Sequence, residues 1–186
     1  MSQAALVIID MQVGMTWPSS GERNNPDAEK HIEVLLDHWR RSSAPVIHVH
    51  HRSRTIGSPF YPDQPGIEVQ PTFAPLNREY VMIKQVPDAF INTGLEQWLR
   101  KNQIECLVVV GVATNNSVEA TVRTAGNLGF DTYVVADACF AFAKRDFDGV
   151  QRTAQEVHAM SLANVDGEYA KVIRCADALK LIENKQ

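Results

Sequence analysis

Three polar residues lie where apolar, strand-like runs of the sequence end. They are Asp10 after residues 4–9, Lys84 after residues 80–83, and Ser117 in the segment that follows residues 106–110. A carboxylate, an amine and a hydroxyl can together move a proton, stabilise a developing negative charge and attack an electrophilic carbon. Taken singly, each has an ordinary interpretation, as a turn residue, a solvated lysine or a residue at the start of a helix. Their shared position at strand ends favours a common site.

The elements that would bring these residues together alternate along the chain. Short apolar runs rich in β-branched residues predict buried strands at 4–9, 45–50, 80–83, 106–110, 132–135 (ending near Asp137) and 170–173. Apolar residues at three- and four-residue spacing predict helices at 26–41, 93–99, 115–128, 147–163 and 177–183. This order predicts an α/β fold with a mostly parallel sheet and helices on both faces. Ligands of open α/β sheets bind beyond the carboxyl ends of the strands, where the three polar residues lie.

One long segment, residues 51–79, does not fit the alternation. It carries Pro59, Pro62, Pro65, Pro71 and Pro75, too many prolines for a regular helix or strand. Loops of this length in a compact domain are usually functional lids or binding loops. We therefore expect the segment to contribute to a binding site.

Composition bounds the class of protein. The chain has 186 residues, of which 45% are hydrophobic and 22% are charged, as expected for one globular domain over residues 1–186. A net charge of −4 without a basic run argues against nucleic acid as a partner. No apolar run approaches the roughly 20 residues of a membrane helix. The start of the chain lacks a basic secretory n-region, and the 3 cysteines form no CxxC motif, so we expect a cytoplasmic location.

Three separated motifs carry a resemblance to a known family. The segments VIIDMQ (7–12), IKQVPDAFINTGLEQWL (83–99) and VVVGVATNNSVEATVRTAGNLGFDTYVVADAC (108–139) resemble the isochorismatase-like hydrolases, also called cysteine hydrolases. This superfamily includes nicotinamidases, N-carbamoylsarcosine amidohydrolases and isochorismatases. The resemblance runs over residues 5–172. It implies a three-layer α/β/α sandwich with a six-stranded, mostly parallel sheet and a catalytic aspartate, lysine and cysteine, which fall on Asp10, Lys84 and Ser117.

The third of these positions departs from the family pattern. The family motif G-V-x-T-x-x-C-V reads GVATNNSV in this chain, so serine replaces the nucleophilic cysteine. None of Cys106, Cys139 and Cys175 aligns with the missing thiol, and each is interpreted as a small buried hydrophobe. A serine hydroxyl has a far higher pKa than a thiol and needs a base to remove its proton. Asp10 is the candidate base, with Lys84 orienting it and stabilising charge.

The resemblance also assigns roles to the turn before Ser117. It implies a cis peptide bond at Val112–Ala113 and an oxyanion hole formed by backbone amides of residues 113–117. Thr114 is predicted to support the turn and Asn116 to contact the substrate. Further substrate contacts are predicted for the aromatic residues Trp17, Phe60 and Phe90.

No catalytic metal or other cofactor is predicted. Metal-binding members of the superfamily use an Asp-x-His pattern and a later histidine after the second strand, whereas this chain has His48, His50 and His51 without the aspartate. Strand alternation places His48 and His50 on one face, but two histidines without a third ligand make a poor site. This argues against a nicotinamidase.

Several interpretations of function are open. We favour a hydrolase that cleaves a C–N, amide-type bond of a small molecule with Ser117 as a slow nucleophile. Alternatives are vinyl ether hydrolysis of the isochorismatase type, with Asp10 as general acid, and binding of a small molecule without turnover. Ser117 is also compatible with an engineered Cys→Ser change. The resemblance further implies a homo-oligomer, a dimer or tetramer, with Phe140 and Phe142 as candidate interface residues.

Overall fold

The computed structural model describes residues 4–183 and contains a six-stranded parallel sheet. The sheet strands are β1 (Ala4–Ile9), β2 (Val46–His51), β3 (Tyr80–Lys84), β4 (Cys106–Val112), β5 (Asp131–Phe140) and β8 (Lys171–Ile173). A separate hairpin consists of β6 (Lys144–Arg145) and β7 (Gln151–Arg152). The helices are α1 (Ala28–Arg41), α2 (Leu95–Lys101), α3 (Glu119–Asn127), α4 (Ala154–Val165) and α5 (Cys175–Glu183).

The sheet order is β3-β2-β1-β4-β5-β8, and the paired strands are parallel. Helices α1 and α5 pack on one face, where Ile32, Leu36 and Ala178 belong to one core cluster. Helices α2, α3 and α4 pack on the other face, where Leu99 and Val122 belong to a second cluster. This is the predicted three-layer α/β/α sandwich. Within residues 4–183, no helix combines the length and apolar character that a membrane crossing requires.

The predicted helix over 147–163 is wrong in its first half, where the chain forms the β6–β7 hairpin. The Asp146 carboxylate accepts hydrogen bonds from the N–H groups of Asp148 and Val150 and closes the turn. Helix α4 begins after Thr153, which forms a capping box with Glu156. The T-x-x-E spacing of these two residues was the available signal for the true helix start.

Two other predicted boundaries differ from the observed ones, at the Ser117 turn and at the end of β5. The predicted helix 115–128 divides into a π-helical turn (Thr114–Val118) followed by α3. Strand β5 continues three residues beyond the predicted end near Asp137 and buries Phe140 completely. Phe140 is therefore not a surface residue as the interface prediction required. Among residues 4–183, the fully exposed aromatic residue is Phe147, between β6 and β7.

Buried polar side chains form hydrogen bonds to the long proline-rich segment, residues 51–79, and hold its two ends. Near its start, the Gln12 side chain donates to the carbonyl oxygens of His51 at 3.0 Å and Ile67 at 2.9 Å. At its end, the buried Glu79 carboxylate accepts hydrogen bonds from Arg40 at 2.7 and 2.9 Å and lies 2.8 Å from His48 Nε2. These contacts hold the segment against the sheet.

Glu79→Gln is expected to lower the free energy of unfolding at pH 7 by about 3 kcal/mol. Burial acts to raise the pKa of Glu79, but hydrogen bonds from Arg40, the Leu76 N–H and His48 lower it from 4.5 to about 2. Since the folded-state pKa is the lower one, the stabilisation is present above pH 4.5 and is lost as pH falls towards 2.

Urea denaturation at a series of pH values measures this effect. The variant should lose less stability than the unmodified chain between pH 4.5 and pH 2, the interval set by the pKa of Glu79. Glu68→Gln, an exposed position of the same segment, is the matched control. Equal effects of the two substitutions would contradict the assigned role of Glu79.

Candidate active site

The three residues predicted from the strand ends meet in the structure. Lys84 Nζ donates to Asp10 Oδ2 at 2.8 Å and to Ser117 Oγ at 3.1 Å. Asp10 and Lys84 are each 1% exposed and Ser117 is 5% exposed. The lysine thus bridges the carboxylate and the hydroxyl within the protein interior.

Strand register explains how residues so distant in sequence meet. Lys84 is paired with His51 at the end of β2, which in turn pairs with β1. The long lysine side chain therefore spans the distance to Asp10, the residue directly after β1. On the other side of β1, Ile9 pairs with Gly111 of β4, which leads into the turn that carries Ser117.

Gly111 permits a close approach of β4 to β1. A Cβ added at this position would lie 2.1 Å from the carbonyl oxygen of Ile9, and the Gly111 φ angle is +119°. Glycine alone tolerates both conditions. The contact occurs one residue before Asp10 and so fixes the spacing between the carboxylate and the Ser117 turn.

Burial changes the acidity of Asp10. Desolvation raises the pKa of Asp10 above its ordinary value, and the Lys84 charge together with hydrogen bonds from Lys84 and Ser117 opposes the rise. Asp10 Oδ1 is buried and has no hydrogen-bond partner within residues 4–183. A carboxyl group with increased proton affinity and an unoccupied oxygen is suited to general acid–base chemistry.

The turn before Ser117 contains the cis peptide bond Val112–Ala113 that the resemblance implies. The N–H groups of Asn116 and Val118 both donate to the carbonyl oxygen of Ala113, at 3.0 and 3.2 Å. The Asn116 N–H is therefore engaged within the turn, although it is one of the amides predicted to bind an oxyanion.

Helix α4 supports this turn through two side chains that the sequence reasoning missed. His158 Nδ1 lies 2.8 Å from Thr114 Oγ1, and Ser161 Oγ donates to the Thr114 carbonyl oxygen at 2.9 Å. All three residues are buried. The available signal was the i, i+3 spacing of two polar residues on the predicted helix, which places them on one face. The predicted supporting position of Thr114 is thus explained by packing against α4.

A cavity of about 340 Å3 opens onto the site. Its lining residues come from several loops and strand ends: Asp10, Met15, His51, Ser53, Arg54, Thr55, Phe60, Gln85, Pro87, Asn116 and Ser117. Of the residues predicted to contact substrate, Phe60 and Asn116 line it. Trp17 does not line it, and Phe90 packs in the core, with its ring centroid 5.9 Å from that of Phe130. A larger groove between the hairpin and α4 contains none of Asp10, Lys84 and Ser117.

Two other histidines and two cysteines do not line the cavity that Asp10 and Ser117 share. His48 is buried against Glu79, and burial lowers the pKa of His50 to about 4. Within the described range 4–183, no cluster of three or more His, Cys, Asp or Glu could hold a metal ion. Burial raises the pKa of Cys139 to about 12 and that of Cys175 to about 11, so both stay protonated near neutral pH. Neither can supply a thiolate in place of Ser117.

His51 is a further residue at the site that the sequence analysis does not assign to it. The sequence predicts that it flanks the end of the second strand rather than binds a metal, and the structure shows that it lines the Ser117 cavity. Its Nδ1 atom is buried and has no hydrogen-bond partner in the described part of the chain. The signal was its position one residue beyond the predicted second strand, at the same sheet edge as Asp10.

Comparisons with known proteins show the family and the fold of this chain. A family model described as "Isochorismatase domain" matches residues 4–177. The uncharacterized isochorismatase family protein YrdC of Bacillus subtilis (strain 168) is 37% identical over 169 residues, which cover 91% of this chain and 90% of YrdC. A crystal structure of an isochorismatase-family protein from Chromobacterium violaceum ATCC 12472 is 49% identical, with a TM-score of 0.95, covering 98% of this chain and 94% of that one.

A third relative is named as an amidohydrolase. Ureidoacrylate amidohydrolase RutB of Acinetobacter baylyi (strain ATCC 33305 / BD413 / ADP1) is 33% identical over 91 residues, 49% of this chain and 33% of RutB. The family model and YrdC both span most of the chain, and the fold matches that of the solved relative. This chain therefore belongs to the isochorismatase family of hydrolases.

Proposed function

We propose that this protein hydrolyses a C–N, amide-type bond of a small molecule, with Ser117 as nucleophile, Asp10 as general base and Lys84 as the group that orients both. The observation that carries the proposal is the bridge formed by Lys84 Nζ, 2.8 Å from Asp10 Oδ2 and 3.1 Å from Ser117 Oγ. Asp10 and Ser117 both line one small cavity, and Lys84 joins them by its two hydrogen bonds.

In the first half-reaction, Ser117 Oγ attacks the substrate carbonyl carbon while Asp10 accepts the hydroxyl proton. Lys84 stabilises the negative charge that develops on Oγ. The substrate oxyanion would be held by backbone N–H groups of the turn other than that of Asn116, which is engaged with Ala113. Collapse of the tetrahedral intermediate breaks the C–N bond, Asp10 returns its proton to the leaving nitrogen, and an ester to Ser117 remains.

In the second half-reaction, Asp10 takes a proton from water, which attacks the ester. The C–O bond to Ser117 breaks, the proton returns to Oγ, and a carboxylic acid leaves. The raised pKa of Asp10 suits a residue that must first accept and then return a proton. The amidohydrolase relative RutB supports C–N chemistry on this fold.

Product analysis on a small panel tests the proposal. The panel contains carboxamides, an N-carbamoyl amino acid, a cyclic imide and isochorismate, with ammonia and pyruvate followed separately. We expect ammonia release from at least one amide-type substrate. Absence of ammonia with every panel member, for both the unmodified chain and Ser117→Cys, would contradict C–N hydrolysis. Absence of both ammonia and pyruvate would favour a binding protein.

A second candidate, vinyl ether hydrolysis, is favoured by one observation, the raised pKa of Asp10. A carboxyl group that stays protonated to higher pH is a better general acid. In that reaction Asp10 protonates the substrate, water attacks, and Ser117 only binds. Pyruvate release that survives Ser117→Ala would support this candidate over the first.

The pH dependence of kcat/KM separates the two candidates. As a base, Asp10 must be ionised, so activity should fall as pH drops through its raised pKa. That acidic limb should lie above the ordinary carboxyl value of 3.8. As an acid, Asp10 must be protonated, so activity should instead fall as pH rises through the same pKa. We expect the first profile, measured by ammonia release.

Thr114→Val is expected to lower kcat roughly tenfold to hundredfold with a much smaller change in KM. The substitution keeps the side-chain shape but removes the hydroxyl that contacts His158 at 2.8 Å, so the Ser117 turn is held less firmly. Thr114 does not line the cavity, which leaves substrate contacts in place. Thr114→Ser retains the hydroxyl and should restore kcat. A rise in KM at unchanged kcat would contradict this positioning role.

Further properties follow as proposals. We infer one domain over residues 1–186, no cofactor, a cytoplasmic location and a homo-oligomer. The exposed Phe147 on the hairpin and the 65% exposed Met160 on α4 are proposed to contact a second copy. Sedimentation of the chain and of Phe147→Ser tests the last of these.

A further inference from the structure

Asn25 connects the loop before α1 with the second half of β5. Its Nδ2 atom donates to the carbonyl oxygens of Ala136 at 2.9 Å and of Cys139 at 2.7 Å. Both carbonyl groups lie where the pairing of β4 with β5 is interrupted, because β5 has more residues there than the facing part of β4. An interrupted ladder leaves backbone groups that need partners from elsewhere. The Asn25 side chain supplies two of these bonds.

The backbone and the side chain of Asn25 make separate demands on this position. Its φ angle is +46°, in the left-handed region that asparagine, aspartate and glycine adopt more readily than other residues. The two hydrogen bonds require a nitrogen with two hydrogens, which a carboxamide has and a carboxylate lacks. Asparagine meets both demands, whereas glycine and aspartate meet only the first.

Counting hydrogens places the ring proton of the neighbouring His158. Asn25 Nδ2 lies 3.4 Å from His158 Nε2, but its two hydrogens are directed at the closer carbonyl oxygens of Ala136 and Cys139. An unprotonated Nε2 would therefore be buried without a donor, which is costly. The Ala136 carbonyl also acts on the His158 ring as a hydrogen-bond acceptor. Both observations put the proton on Nε2.

The other ring nitrogen then faces the Ser117 turn as an acceptor. Burial lowers the pKa of His158, a hydrogen bond to the Ala136 carbonyl opposes this, and the Arg174 charge lowers the pKa further. The ring is therefore neutral near neutral pH, and Nδ1 carries no proton. His158 Nδ1 lies 2.8 Å from Thr114 Oγ1, so the Thr114 hydroxyl is the donor in this buried pair.

We propose that Asn25 is a positioning residue for the hydrolysis. It holds the Ala136 carbonyl oxygen against His158 and so keeps the ring in the Nε2–H tautomer, in which Nδ1 accepts from Thr114 and the Ser117 turn has one orientation. Asn25 does not line the cavity and acts only through His158 and Thr114. The inference rests on the proposed function for its effect on turnover, whereas the tautomer is a property of the folded chain.

Nitrogen NMR of the chain labelled with ¹⁵N-histidine tests the tautomer without turnover. The His158 signals are those that are absent from His158→Gln and displaced in Thr114→Val. In the unmodified chain near neutral pH we expect a protonated Nε2 and an unprotonated Nδ1. In Asn25→Gly both signals should move towards an average of the two tautomers. In Asn25→Asp a carboxylate faces Nε2 and favours the charged ring, so both nitrogens should carry a proton.

Steady-state kinetics test the positioning role. Asn25→Gly keeps a residue that tolerates the φ angle but removes both donors. We expect kcat for ammonia release to fall roughly tenfold or more at a nearly unchanged KM, because the Ser117 turn is held less firmly while the cavity keeps its lining.

Asn24→Gly is the matched control. Asn24 is the neighbour of Asn25 in the same loop, and its side chain also forms two hydrogen bonds, from the Ala141 N–H at 2.8 Å and to Gln155 Oε1 at 3.2 Å. Neither bond involves His158. This variant should lower the melting temperature about as much as Asn25→Gly but leave kcat and the His158 signals nearly unchanged.

The outcomes separate the inference from the proposed function. A proton on His158 Nδ1 alone in the unmodified chain, signals that move in neither Asn25 variant, or an equal fall of kcat in Asn25→Gly and Asn24→Gly would overturn the proposal. The expected His158 signals without ammonia release from any form would refute the hydrolysis and leave the tautomer assignment standing.

Discussion

Ser117→Ala is expected to reduce ammonia release by about 10³-fold or more, since it removes the only proposed nucleophile. Ser117→Cys is expected to increase the rate above that of the unmodified chain. A thiol ionises far more readily than a hydroxyl, and the neighbouring Lys84 cation, 3.1 Å from Ser117 Oγ, would favour the thiolate. Steady-state rates with the preferred panel substrate measure both effects.

These variants also separate the possible roles of Ser117. Little structural change is expected, because the serine side chain is small and its position is set by the π-helical turn. Thermal unfolding of each variant provides the control. Ammonia release that is unchanged in Ser117→Ala would contradict nucleophilic catalysis, even if the protein remains a hydrolase.

Asp10→Asn is expected to lower kcat/KM for ammonia release by roughly 10²- to 10⁴-fold, the usual contribution of a general base. It should also destabilise the protein by about 3–5 kcal/mol. The reason is that Lys84, which is 0% exposed in its side chain, would lose its 2.8 Å partner and remain a buried, unpaired charge.

A double variant separates catalysis from stability. Asp10→Asn combined with Lys84→Met removes both charges and leaves a long apolar side chain in the lysine position. Replacement of a buried ion pair by apolar groups is often neutral or stabilising, so stability should recover to within about 1–2 kcal/mol. Activity should not recover. An active double variant would show that neither residue takes part in the chemistry.

The sequence predicts the main features of the fold for a definite physical reason. Strands such as β1 and β4 are buried on both faces, so they appear as continuous apolar runs that are hard to mistake. The carboxyl-end rule for parallel sheets then brings Asp10, Lys84 and Ser117 to one edge. The family model confirms the family, and the structure contains the three-layer sandwich and the contact of these three residues.

What the sequence does not predict depends on contacts between distant segments. The role of His158 requires α4 to lie against the Ser117 turn, and the i, i+3 spacing of His158 and Ser161 does not by itself predict that contact. The burial of His51 Nδ1, which has no hydrogen-bond partner among residues 4–183, depends on contacts with Gln12 and Phe60 that the sequence does not predict. The predicted helix over 147–163 includes part of the β6–β7 hairpin, because the apolar residues there match helical spacing. In the structure, Asp146 and Gly149 form the hairpin turn.

Trapping of a covalent intermediate is the measurement that tests the central claim most directly. A p-nitrophenyl ester of a small acid that fits the cavity would acylate the nucleophile quickly, and an acid quench followed by peptide mass spectrometry would locate the adduct. The account predicts one acyl group per chain, on the peptide that contains Ser117, and none in Ser117→Ala. Ester turnover with no adduct on that peptide, and at the same rate in Ser117→Ala, would contradict it.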